Sequence, residues 1–255
     1  MKQDSNGFSS PNHMRFNNPL IAAVVTLTTT FICYALPQGE WQQKDYRQWS
    51  LGEVEKVLTD SPWAQTRSKG VAIGYDNPVV TGINNPPSPE SVTLRLRSSL
   101  PIRQALLRLR QIKAKYDKMS DADKASFDSK NKVLMDCPAC ADNYVVALSP
   151  GPGRGKGVPS TLQTMSLAEA KLNVTLQNEN GNTRELVHFT APKVQGDEAL
   201  FFFSRLDEKG QPLLNQNSRK LIFTFGSKVF GASPVTITKF EFDVTKMPVN
   251  GVVDF

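Results

Sequence analysis

The sequence predicts an α+β fold: a mainly helical N-terminal part followed by a C-terminal antiparallel sheet, sandwich-like or curled. Three observations predict it. Apolar residues recur at helical spacing between residues 50 and 130. Short alternating apolar runs separated by turn residues fill residues 160 to 255. Between them, Ser149-Pro150-Gly151-Pro152-Gly153-Arg154-Gly155-Lys156-Gly157 is too rich in Gly and Pro for either element. The expected organisation is a leader (1–35), a mainly helical region (36–148), a linker or long loop (149–159) and a β-rich region (160–255).

The leader comes first. Pro19 to Leu36 carries no charge, and Lys2 and Arg15 lie ahead of it. Cys33-Tyr34-Ala35 sets small residues at the spacing a signal peptidase accepts. The run is about 18 residues, the lower limit for spanning a bilayer. Thr26, Thr28, Thr29 and Thr30 dilute it. It therefore reads as a cleaved signal peptide that delivers the chain to the periplasm or the exterior. The alternative is an uncleaved N-terminal anchor. Either Met1 or Met14 serves as the start, since Met14 gives a leader of ordinary length.

Cleavage after Ala35 leaves 220 of the 255 residues and removes Lys2, Arg15 and Asp4, which takes the net charge from +6 to +5. That charge is mild and spread out. Apolar content is 39%, which suits a folded chain rather than a disordered one.

Residues 37–48 are polar and expected to be loose. Ser50 and Glu53 then form a capping box, a hydroxyl at the cap and a carboxylate three residues on. Leu51, Val54, Val57 and Leu58 continue the helix to about Asp60, because Ser61 precedes Pro62. Residues 74–91 read as loop. Val92, Leu94 and Leu96 alternate with Thr93, Arg95 and Arg97, which predicts a half-buried strand. Pro101 opens a second helix with Ile102, Ala105, Leu106, Leu109 and Ile112 on its apolar face. Ser120 and Asp123 cap a short third helix through Lys130. Tyr144 to Leu148 is a strand by composition.

Beyond the Gly/Pro stretch, Leu172, Val174 and Leu176 alternate. Asn180-Gly181 is a hairpin signal with Leu186 to Thr190 as the return strand. Ala199 to Leu206 holds Phe201, Phe202 and Phe203. A turn at Glu208-Lys209-Gly210 follows, then alternation at Leu221, Phe223 and Phe225, and at Phe240, Phe242 and Val244. Val235 to Thr238 favours strand through β-branching. Asn250-Gly251 reads as a last turn.

Few groups carry chemistry. Cys137-Pro138-Ala139-Cys140 either closes a small disulfide or holds half a metal site. Outside the cytosol the bridge is the default. Asp142 nearby disfavours a thiolate, and the following residues read as turn and strand rather than a helix. A structural disulfide is therefore expected, with a redox pair as the alternative. Zinc would need further ligands, and His188 is the lone histidine after processing. It lies in a predicted strand, and no nucleophile elbow exists, so triad catalysis is not expected. The Gly-rich stretch fails as a phosphate loop: Gly155-Lys156 is followed by Gly157, and Pro150 stands where the first glycine belongs. No catalytic set, metal or cofactor is expected.

Two contact surfaces remain. Arg95 to Lys118 holds eight basic residues against Asp117. On a helix Arg103, Arg110 and Lys113 share one face, which suits anionic lipid, glycan or an acidic envelope protein. The plainer reading is a solvated face. Nucleic acid fits the charge but not the address, and nucleotides are scarce there. Trp41, Trp49 and Trp63 are either the lid of a small core or an aromatic platform for a sugar or peptide.

Trp49-Ser50-Leu51-Gly52-Glu53 through Asp60-Ser61-Pro62-Trp63-Ala64 resembles the opening of an uncharacterised family of exported bacterial proteins. In that family a signal peptide precedes such a helix and an α+β region follows. The resemblance covers these 16 residues and implies bacterial export. The expected function is a non-enzymatic binding or structural role in the cell envelope. The alternative is a thiol–disulfide protein using Cys137 and Cys140.

Overall fold

Phenylalanines interlock two antiparallel sheets that lie face to face. The computed structural model describes residues 40–68, 91–152, 158–194, 196–215, 217–230, 239–249 and 252–255. The expected leader, the loop expected over 74–91 (apart from Ser91) and Val235 to Thr238 lie outside them.

In chain order the elements are α1 (Leu51–Thr59), β1 (Asp60–Ser61), β2 (Ala64–Ser68), β3 (Ser91–Leu96), α2 (Leu100–Lys113), α3 (Asp121–Asp136) and β4 (Asn143–Pro150). Then come α4 (Thr161–Thr164), α5 (Leu167–Asn173), β5 (Val174–Asn178), β6 (Thr183–Arg184), β7 (Leu186–Thr190) and β8 (Ala199–Ser204). The last are β9 (Lys220–Phe225), α6 (Ser227–Phe230), β10 (Lys239–Asp243), β11 (Pro248–Val249) and β12 (Val252–Val253). The fold is α+β.

The larger sheet runs β1-β2-β3-β4-β8-β7 and the smaller β10-β9-β5-β6. Register aligns Leu94 with Leu148, Val146 with Phe201 and Tyr144 with Phe203, so these share one face of the larger sheet. Leu176, Phe223 and Phe240 align on the smaller sheet. Between the two faces Phe201 and Phe203 meet Phe223 edge-on at 5.5 and 5.7 Å between ring centres. All three rings are fully buried. Edge-on pairs add to the burial of their area, so this seam concentrates the packing energy.

The helices form where their caps predict. Ser50 accepts from the Glu53 amide, and Glu53 accepts from the Ser50 amide. Pro101 lies in the first turn of α2, and Ser120 caps α3. α1 packs on α2, and α2 on α3.

Several expectations are corrected. The N-terminal part is mainly helical as expected, but it also supplies four of the six strands of the larger sheet. Residues 149–159 do not divide two domains. Ser149 and Pro150 continue β4, which pairs with β3 before it and β8 after it, and residues 38–255 form one unit. Gly151 is required there, since a Cβ would meet the Ser91 side chain at 2.3 Å.

Residues 40–48 are not loose; they form 3-10 turns at Glu40–Gln43 and Tyr46–Gln48 with Trp41 buried. The strand β3 is covered on both faces, Thr93 being fully buried. The third helix runs on through Val133-Leu134-Met135 to Asp136. Leu172 belongs to α5 and is 86% exposed, because a second capping box at Ser166 and Glu169 starts a helix there. The turn at Gly181, with φ +80°, returns to Thr183-Arg184. Leu186 to Thr190 instead crosses to the larger sheet beside β8. Asn250-Gly251 lies outside the described residues, but β11 and β12 pair on either side of it.

Two outcomes follow from this packing. Phe223→Ala should cost about 3–5 kcal/mol in denaturant unfolding, as for large core aromatics. The Glu53 carboxyl is held down to about 2 by Lys44 and Ser50. A lowered carboxylate contributes stability that is complete above its ordinary value of 4.5 and is lost as pH falls through about 2. Thermal melts of Glu53→Gln across that window should lack this part of the acid slope; a slope identical to the parent's would refute the assignment.

Candidate functional site

Cys137 and Cys140 lie at one corner of the larger sheet, where α3 ends. Cys137 is the left-handed residue that stops the helix, and its amide donates to Val133 O. A 3-10 turn at Pro138–Cys140 follows. The two Cα atoms are 5.3 Å apart and the sulfurs are within bonding distance. Cys140 is buried.

Arg205 ties this corner to the last residues of the chain. Its Nε donates to Cys140 O at 2.8 Å and its Nη2 to Phe255 O at 2.6 Å. The guanidinium lies 4.7 Å over the Tyr144 ring. Burial pushes the Tyr144 hydroxyl up, against the Leu213 and Leu214 amides and Arg205. Trp63 Nε1 donates to Asp254 O at 2.7 Å, and the Leu100 amide donates to the Asp254 carboxylate. Burial raises the Asp254 carboxyl, although Leu100, Arg103 and Arg205 oppose it. The cluster is polar and hydrogen-bonded within itself, apart from the buried Arg103 Nε, which has no partner among the described residues.

Several arginines of the basic segment reach into the protein. Arg103 donates inward to Met135 O, and burial pulls its guanidinium down. Arg110 Nη1 donates to Asn131 Oδ1 on α3 at 2.8 Å. Arg108 holds Trp49 O at 3.0 Å, and Arg95 and Arg97 both reach Glu198. Of the three residues expected to share a solvent face, Lys113 alone is exposed without a role inside the helical layer. The physical reason is reach: a long arginine stem on α2 or β3 passes over apolar neighbours to carbonyls of the next element.

The tryptophans form no platform. Trp41, Trp49 and Trp63 are 7%, 3% and 0% exposed. Trp41 packs edge-on against both others at 5.3 and 6.0 Å, and Trp49 Nε1 donates to Trp41 O. They are core. His188 is exposed on β7, its ring tilted 5.1 Å from that of Phe202 and 3.3 Å from the Thr190 hydroxyl, which makes no triad. Among the described residues no group of three or more His, Cys, Asp or Glu side chains converges as metal ligands would. No helix of the described residues is long and apolar enough to cross a membrane.

A groove of about 380 Å³ remains between α2 and α3, bordered by Tyr46 and Arg47. Tyr46, Leu107, Gln111, Tyr116, Asp128 and Met135 line it. Tyr116 donates to Asp128 Oδ2 at 2.7 Å, which raises the phenol above its ordinary value. Gln111 is 3% exposed, and its Oε1 has no hydrogen-bond donor. The sequence marks neither Gln111 nor Tyr116. Gln111 stands one turn after Leu107 on the side of α2 that meets α3, a spacing the sequence does contain.

Comparison with protein-family models, with curated proteins and with solved structures found no match.

The buried Asp254 carboxyl makes a pH prediction. A raised acid group contributes stability that is complete below its ordinary value of 3.8 and is lost as pH rises through its folded value. Asp254→Asn keeps an oxygen for the Leu100 amide and removes the charge. Its melting temperature should gain on the parent's as pH rises from 3.8 toward neutrality; parallel profiles would contradict the buried placement.

Proposed function

We propose that the chain is an exported, non-catalytic binding or structural protein of a bacterial cell envelope, with Cys137 and Cys140 as a permanent clip. The observation that carries the reading is the place of the cysteine pair at the C-terminal end of α3. That end of a helix carries partial negative charge, which disfavours a thiolate. Redox pairs with activated thiols use the opposite, N-terminal end. Asp136 and Asp142 flank the pair and act in the same direction. The second cysteine is buried, and Arg205 is engaged with its carbonyl and with Phe255. The clip therefore braces the turn that leads α3 into β4.

The uncharged run from Pro19 to Leu36 and the resemblance over Trp49 to Ala64 support export.

The test combines mass and potential. Protein alkylated without reductant should carry no label on Cys137 or Cys140, and the secreted chain should lack residues 1–35. The pair should have a potential below about −300 mV, as structural bridges do. A potential above about −200 mV, with turnover of a disulfide substrate, would establish the thiol–disulfide alternative instead.

A further inference from the structure

We propose that the groove between α2 and α3 binds an uncharged saccharide, held by the Gln111 amide and the rings of Tyr46 and Tyr116. The inference rests on the reading of the chain as a binding module. Its starting point is Gln111. The side chain is 3% exposed, its Oε1 is enclosed without a donor, and among the described residues its amide makes no hydrogen bond. Buried polar groups are nearly always partnered, so an orphan that lines a groove marks the place where another molecule completes the set. The terminal amide turns on a soft two-fold torsion, so either its oxygen or its nitrogen meets a group brought beside it.

The rest of the lining narrows the ligand. The charges are already engaged: Arg47 with Asp45 and over the Tyr46 ring, Lys132 with Asp136, and Asp128 with the Tyr116 hydroxyl. The unmatched group is neutral, which selects an uncharged ligand. The amide both donates and accepts, as hydroxyl groups do. Tyr46, Tyr116, Leu107 and Met135 supply the apolar contact that the C–H face of a sugar ring needs. A peptide strand would also supply N–H groups, but its backbone needs a ladder. Both walls are helices whose backbone groups are bonded internally. A volume of about 380 Å³ falls at the small end of ligand sites, which run from roughly 300 to 1,000 Å³, and suits one or two sugar rings.

The experiment is calorimetric titration of the full chain with glucose, N-acetylglucosamine, maltose and chitobiose. Trialanine and a sulfated heparin disaccharide serve as controls. At least one neutral sugar should bind saturably, with neither control competing. Gln111→Met keeps the volume and removes the amide; affinity should fall at least tenfold while the melting temperature stays level or rises. Ser129→Trp, on the exposed wall of α3, blocks the groove without touching the core and should abolish binding. Absence of binding by all four sugars, equal binding by both variants, or binding of a control alone would overturn the proposal. None of these outcomes bears on the cysteine potential, so failure here and failure of the clip reading are separable.

Discussion

The seam between β8 and β9 is the constraint on which the other placements depend. Phe201, Phe203 and Phe223 are buried on facing sheets with rings in edge-on contact. Their side chains alternate along strands, so a slip of one residue would turn all of them outward. The seam therefore fixes two registers at once. Through Val146 opposite Phe201 it fixes β4, and through β4 it fixes β3. Through Phe223 opposite Leu176 and Phe240 it fixes β5 and β10. The helical layer then joins the sheet through Trp63 and the last residues of the chain.

Arginine is the second organising element, and it works inward. Arg95, Arg103, Arg108, Arg184 and Arg205 each donate to a backbone carbonyl of a neighbouring element. Arg184 is 8% exposed and holds the carbonyls of Arg205 and Gln211, which fastens the β8–β9 connection to β6. A planar guanidinium with several donors suits this task better than an ammonium. Arg95, Arg103 and Arg108 belong in sequence to a charge run that suggests a wet face. Charge density along the chain and charge at the surface are different quantities, and here long stems separate them.

Much of the fold was legible. The capping box at Ser50 and Glu53, Pro101 at the start of α2, Ser120 before α3 and the alternation in β3, β9 and β10 all lie where local rules place them. The miss at Leu172 was local as well. The expected alternation at Leu172 gives way to a second capping box at Ser166 and Glu169, because two reciprocal hydrogen bonds at a helix start outweigh three apolar positions. The candidate groove was hidden for another reason. Tyr46, Gln111 and Tyr116 come from three segments, and the feature that singles out Gln111 is a missing partner. Such a feature exists only once neighbours are in place.

By itself the sequence determined the α+β class, the helix starts and the periodicity of the strands, because each depends on residues within a few positions of one another. It also determined that the two cysteines could bridge, since three positions apart they cannot separate far. The tertiary structure decided which strands are neighbours, that the Gly/Pro stretch joins parts of one unit, that the tryptophans are core, and that the arginines point inward. These outcomes depend on pairings between distant residues, such as Tyr144 with Phe203 and Trp63 with Asp254. Period and propensity carry no information about distance in space.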